Sequence, residues 1–379
     1  MLSLRHHAAP NHGLRADHRL LPALPALMRV TFASYDDDPP LGGQGVLLHG
    51  MRAALERRGV DVATVSGRGD HAIHYPRVTR RAPLDLSLQL NRHPDLLTRN
   101  RPDVVHAYGG PGGVLLVRRL GVPLVYTAHH TYHQAHGRGD ARRALAPLEA
   151  RAYRRAAMVL PVSRSTADAV HAMGVPSSHI EVMPPGIDVP DAEVPKHEPA
   201  RILFVGRLEE HKGVLDALAL MRAVLEVHPD GRGVMIGVGP LANAVRARVG
   251  SDARFELRGA VDRATLHDEY ARASLVVMPS RYEGLGLVAL EAQSAGTPVV
   301  GYDVDGLRDA APEGGVLVRV GDVQALRAAT LDLVNDASRL AELGARGRDF
   351  VRRRHSWEAV ADRLQELYQQ LGGGTSASV

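Results

Sequence analysis

Short apolar runs recur along the chain, each bounded by Gly, Pro or charged residues, with amphipathic stretches between them. In the first half the runs fall at 29–33, 60–65, 103–107, 123–127 and 157–161 and read as buried strands. Val46–Arg58 and Ala141–Arg155 read as amphipathic segments, the second interrupted at Pro147. A Pro-rich, charged stretch follows, Met183 to Pro190 and then Pro195 to Pro199, with the composition of an interdomain linker. The rhythm then restarts, with strands at 201–205, 233–237, 254–257, 274–278 and 298–301, a helix from about Gly213, and helical sequence from about Asp322. Strand–helix alternation implies right-handed βαβ units and parallel sheets. The expected fold is α/β, with two doubly wound Rossmann-like domains at 28–190 and 191–356 and a last segment at 357–379. Ligands bind beyond the carboxyl ends of such strands, so two sheets facing each other make a deep cleft.

Composition narrows the picture. A chain of 379 residues is long enough for two cores. It has no cysteine, which removes disulfides, thiolate metal sites and a Cys nucleophile and points to a cytoplasmic protein. No apolar run reaches the roughly 18 residues needed to span a bilayer. The net charge of +4 is modest and points to no nucleic-acid partner. Lys occurs only at 196 and 212 in an Arg-rich chain, so the lysine after His211 hints at a required point charge. Residues 1–27 mix His, Arg and Pro without periodicity and read as a disordered tail. Leu20–Pro25 is too short and too broken by Pro for a signal peptide.

Ser280 to Ala292 carries the strongest chemical signal. Two glycines and a helix start offer close backbone approach, free N–H groups and a positive dipole end. Glu283 precedes that helix and Glu291 lies on it, roughly 8–12 Å apart along the axis. A nucleotide-sugar would fit, with its diphosphate over Gly284-Leu285-Gly286-Leu287, its sugar near Glu283 and its ribose near Glu291. Gly206 to Gly213 follows the first strand of the second half; its Arg207 and Lys212 can converge on one diphosphate, as a planar fork and a point charge. Leu41-Gly42-Gly43-Gln44-Gly45 turns from strand to helix in the first half. Tyr126 to His133 holds His129, His130 and His133 after an apolar strand, with His136 close behind. A metal cluster is the competing reading, against which stands the lack of a helical His-x3-His with a partner acid; the extra histidines would otherwise contact the acceptor.

These segments together resemble the family 4 retaining glycosyltransferases, which have the GT-B fold, from about Met28 to about Leu371. The Glu-x7-Glu signature falls on Glu283 and Glu291, Gly-Arg-x(4)-Lys-Gly on Arg207 and Lys212, the Gly-Gly loop on Gly42 and Gly43, and Thr-x-His on Thr127 and His129. The resemblance implies that Glu283 and His129 border the donor sugar, Arg207 and Lys212 hold the leaving diphosphate, and Glu291 holds the ribose. The base lies near Arg258, and Gly42 and Gly43 touch the diphosphate from the opposite domain. It also implies a metal-free retaining transfer without a cofactor, from a nucleotide-sugar donor (a UDP-sugar first, a GDP-sugar next). Trp357 to Leu371 would cross back onto the first domain.

Two segments depart from the family: Asp305-Gly306-Leu307-Arg308-Asp309 replaces Gly-Gly-x-x-Glu on the donor-sugar side, and Pro184-Pro185-Gly186 replaces Pro-Asn-Gly. Gly237-Val238-Gly239-Pro240-Leu241-Ala242 with Glu256 mimics a dinucleotide fingerprint, against which Pro240 and its place in the chain argue. Other expectations stay open beside the leading one: a sugar-diphosphate hydrolase or epimerase, and a catalytically silent nucleotide-sugar-binding subunit of a partner enzyme. The acceptor is not readable. Arg142, Arg143, Arg151, Arg154 and Arg155 would make either a solvated face or a basic one for peripheral contact at the inner membrane face.

Overall fold

A computed structural model describes residues 27–37, 43–76, 78–79, 81–135, 141–190 and 200–372. The readings of 1–26 as a tail and of the linker residues 191–199 lie outside them. The first domain has five strands: β1 (Arg29–Ser34), β2 (Asp61–Ser66), β3 (Val104–Gly109), β4 (Leu124–Ala128) and β5 (Met158–Pro161). They form one parallel sheet in the order β2-β1-β3-β4-β5, with Phe32 opposite His106 and Tyr108 opposite Thr127. The second domain has six: β6 (Arg201–Val205), β7 (Arg232–Ile236), β8 (Phe255–Leu257), β9 (Leu275–Met278), β10 (Val299–Tyr302) and β11 (Gly315–Val318). Their order is β11-β10-β9-β6-β7-β8, again all parallel. These are the two doubly wound halves that the alternation of runs implied. β11 was not anticipated, because its four half-buried residues lie on an open edge.

β3, β4 and β9 are buried along their whole length, as strands covered by helices on both faces must be. Pro147 falls in the first turn of the helix Ala146–Tyr153, where its missing N–H goes unused, and a 3-10 turn, Ala141–Leu145, precedes it.

The last helix, Trp357–Gly372, belongs to the core of the first domain although it follows the second. Its Val360, Leu364, Leu367 and Tyr368 pack with Leu48, Met51 and Leu55 of the helix Gly43–Arg57 and with Val30 of β1. Arg58 donates to Asp362 at 2.6 Å, and Tyr368 meets buried His106 on β3. Trp357 lies between Gly50 and Gly186, and a methyl group at either position would overlap its indole. The linker and the end of the helix Ala337–His355 run side by side here, joined from Ile187 N–H to the His355 carbonyl at 2.6 Å.

Trp357 is the only tryptophan of the chain and is 7% exposed. Trp357→Ala leaves its slot empty and is expected to lower stability by roughly 3–5 kcal/mol. Denaturant unfolding followed by circular dichroism measures this, and a loss under about 1 kcal/mol would contradict the packing role.

Candidate active site

The strand order of the second sheet reverses between β6 and β9, so the loops that follow these two strands leave the sheet side by side. Arg281 N–H donates to the His211 carbonyl at 2.8 Å and ties the loops together. Lys212 Nζ then meets Glu283 Oε1 at 2.7 Å, and Ser280 Oγ donates to the same oxygen at 2.8 Å. The lysine side chain is 23% exposed and the glutamate 10%, so water only partly screens the pair. Gly286 caps the helix Leu287–Ser294 at φ 69°, a left-handed conformation that costs a side-chain-bearing residue about 1–2 kcal/mol. Gly284 and Leu285 lie between Glu283 and this cap, and Leu287 opens the helix. Arg207 is 73% exposed and paired with Glu209, at the rim of the same loop.

Glu291 sits one turn into that helix. Tyr270 Oη donates to its Oε2 at 2.9 Å. Burial pushes its carboxyl above the usual range, and the Tyr270 bond works the other way. Glu291, Tyr270, Arg263, His267 and Asp188 line a cavity of about 40 Å³. Arg263 holds Asp188 of the linker at 2.6 Å, which closes one side. Arg258 is engaged elsewhere: its guanidinium bonds Glu256 and Glu269, and Arg201 holds the same two carboxylates. The same network occupies Glu256, and Gly237 and Gly239 abut the backbone of Gly206 and Leu208, so the dinucleotide reading of this segment has no free acid.

On the first domain, His129 follows β4 and stacks on Tyr108 with ring centroids 5.6 Å apart. Its Nε2 is shut off from solvent and has no hydrogen-bond partner. Burial first, and then neighbouring His130, hold its pKa down at about 4, so the ring is neutral at pH 7. The His130 ring crosses to the second domain and covers Gly284, where a methyl group would collide with it. Arg164 donates its backbone N–H to Asp309 at 3.1 Å, a second crossing at the start of the helix Arg164–Ala172. Asp309 lies on the short helix Asp305–Ala310, the segment that departs from the family pattern, whose Arg308 bonds Asp303 and Asp305. Gly42 lies outside the described residues, and Gly43 opens the first helix. His133 accepts from Arg143, Arg154 is tied to the Met173 carbonyl and Arg155 to the Val117 carbonyl.

Sequence reasoning missed Ser280, Tyr270 and the His130–Gly284 contact. Ser280 lies three residues before Glu283 and was within reach of a local reading. Tyr270 lies on a separate helix, Arg263–Arg272, and only the fold brings it to Glu291.

The model of the family described as "Glycosyltransferase Family 4" matches residues 41–190, and that described as "Glycosyl transferases group 1" matches residues 199–336. The chain belongs to glycosyltransferase family 4. It is 32% identical over 286 residues to a glycogen synthase of Mycobacterium tuberculosis, covering 71% of this chain and 69% of the relative. It is 32% identical over 309 residues to the D-inositol 3-phosphate glycosyltransferase of Segniliparus rotundus, covering 73% of this chain and 68% of the relative. The fold matches the sucrose-phosphate synthase of Thermosynechococcus elongatus with a TM-score of 0.68 at 20% identity, covering 92% of this chain and 100% of that one. This glycosyltransferase takes a nucleotide-sugar as donor, and its domains are those of the GT-B fold. No helix among the described residues is long and apolar enough to cross a membrane.

Tyr270→Phe leaves one oxygen of Glu291 without its donor. The expected outcome is nucleoside-diphosphate binding about tenfold weaker by calorimetry, roughly 1.4 kcal/mol. Unchanged affinity would separate Glu291 from the nucleotide.

Proposed function

We propose that the chain is a metal-independent, retaining glycosyltransferase that moves a sugar from a nucleoside diphosphate, UDP first and GDP next, to an acceptor hydroxyl presented by the first domain. The observation that carries this is the Lys212–Glu283–Ser280 cluster at the reversal point of the second sheet, with the neutral His129 across the cleft. Diphosphate oxygens over the start of the helix Leu287–Ser294 would meet unpaired N–H groups, Lys212, and Arg207 swung in from the rim. As the bond from sugar C1 to phosphate oxygen breaks, negative charge grows on the diphosphate, and these fixed donors favour that state over the intact donor. The cations facing this position are Lys212 and Arg207, which supports a transfer without a metal.

Glu283 Oε1 already accepts two hydrogen bonds, one from an ammonium, and both make it a weaker nucleophile. Retention then follows from front-face substitution. The acceptor oxygen bonds C1 on the side that the phosphate leaves, and its proton passes to the departing phosphate oxygen. A neutral His129 can donate one hydrogen bond to a sugar hydroxyl without adding charge to the donor pocket. Closing the cleft at His130–Gly284 and Arg164–Asp309 keeps water from competing with the acceptor.

Proton NMR of the product formed from a UDP- or GDP-sugar tests the stereochemistry. The product is expected to keep the donor's anomeric configuration, at a rate unchanged by EDTA; inversion, or loss of turnover on chelation, would overturn the mechanism. Lys212→Ala removes a diphosphate cation and is expected to lower kcat by about 10²–10³-fold. A loss under about threefold would remove Lys212 from the transition state.

A further inference from the structure

The segment that carries His129 and His130 is a loop, yet it must hold two rings in fixed places across a domain boundary. Its far end is anchored in the protein interior. Glu149, on the helix Ala146–Tyr153, is 0% exposed. Its Oε2 accepts the backbone N–H of Tyr132 at 2.9 Å, at the residue where the loop becomes helix. Its Oε1 accepts Tyr153 Oη at 3.2 Å. Tyr153 is itself fixed: its ring meets Tyr126 of β4 edge-on, and its hydroxyl fills the space beside Gly109 at the end of β3. A second tie, Thr131 N–H to Gln134 Oε1 at 3.0 Å, holds the loop from its other side. None of these groups reacts, but Glu149 connects the ends of β3 and β4 to the loop between them and the second domain.

We propose that Glu149 is a positioning residue for the transfer site, and that ionisation of its buried carboxyl sets how firmly His129–Tyr132 is held against Gly284. This rests on the transferase reading above. Burial pushes the Glu149 carboxyl up to about 7, against the opposing bonds from Tyr132 and Tyr153. The ionisable groups facing it are tyrosines: Tyr153 on its own helix, Tyr132 on the next and Tyr126 on β4. Arg81 acts on Tyr132 from its side, and Arg143 is turned to His133. The charged carboxylate makes the stronger, charge-assisted bond to the Tyr132 amide, so the loop is firmest above pH 7. The fold as a whole responds with the opposite sign. The folded-state pKa is raised from the ordinary 4.5, so the stability from neutral Glu149 is complete below 4.5 and is lost as pH rises through about 7.

Glu149→Gln keeps an acceptor for Tyr132 and removes the ionisation. Hydrogen–deuterium exchange of the full chain, corrected for intrinsic rates, should show protection of residues 129–135 rising roughly threefold or more from pH 6 to pH 8 in the wild type. In Glu149→Gln it should stay at the low-pH level, and the variant's Tm should gain on the wild type's over the same interval. Affinity for UDP or GDP, by calorimetry, should show a step near pH 7 in the wild type that the variant lacks. Tyr153→Phe removes a bond that lowers the pKa and keeps the Tyr132 contact, so it should move both midpoints upward. It also serves if Glu149→Gln does not fold. Identical exchange profiles in wild type and variants would overturn the proposal. Absence of UDP and GDP binding to the wild type by calorimetry, with the exchange difference intact, would instead overturn the donor reading.

Discussion

The site depends on β6 and β9 being neighbours. Two parallel strands are kept side by side only by continuous backbone bonding, and their carboxyl ends then open at the same level. The chain leaves β6 into the loop of Lys212 and leaves β9 into the loop of Glu283. Opposite charges from residues 71 apart in sequence therefore meet at 2.7 Å. Withdrawing both charges from water offsets much of their attraction, so the pair adds little to stability. What the geometry provides is a lysine whose position is set before any diphosphate arrives. The same strand adjacency aims the start of the helix Leu287–Ser294 at that position. Pre-set charges need no rearrangement as the transition state forms.

The first domain answers with uncharged groups. Tyr108, His106 and His129 form a stacked series under the cleft, and burial keeps both histidines neutral at pH 7. If Lys212 and Arg207 hold the diphosphate as proposed, a cationic face here would compete with them and a neutral one would not. The division of labour between the sheets is thus electrostatic as well as spatial. His130 over Gly284 and Arg164 against Asp309 hold the halves together.

Much of this was legible in the sequence. The ten anticipated strands are mostly buried runs, and burial leaves an apolar signal that does not depend on neighbours. β11 left none, because half-exposed edge residues carry a weaker pattern. Glu283, Lys212 and Arg207 were readable because each lies in a short connection between a clear strand and a clear helix, and Glu291 because it lies one turn into such a helix. Groups fixed by side chains from other elements were not readable. Tyr270 on Glu291 and Tyr132 on Glu149 are contacts between helices whose juxtaposition only the folded sheets decide. Arg258 shows the reverse case. Its place beyond β8 carried the resemblance, while its bonds to Glu256 two residues earlier and to Glu269 on the next helix left no signal in the sequence.

The Trp357 slot bears on how the chain is made. The first domain lacks one of its core helices until residues 357–372 have been synthesised, after the whole of the second domain. At the ~5–20 residues per second of translation, the 170 or so intervening residues take roughly 10–35 s. Through that interval the apolar face of the helix Gly43–Arg57, with Leu48, Met51 and Leu55, stays uncovered. The nascent protein thus carries an open hydrophobic groove on its first half that only its own last helix closes. Completion of the first domain waits on synthesis of the second, and chaperone holding or ribosome stalling within the second half would act on the first.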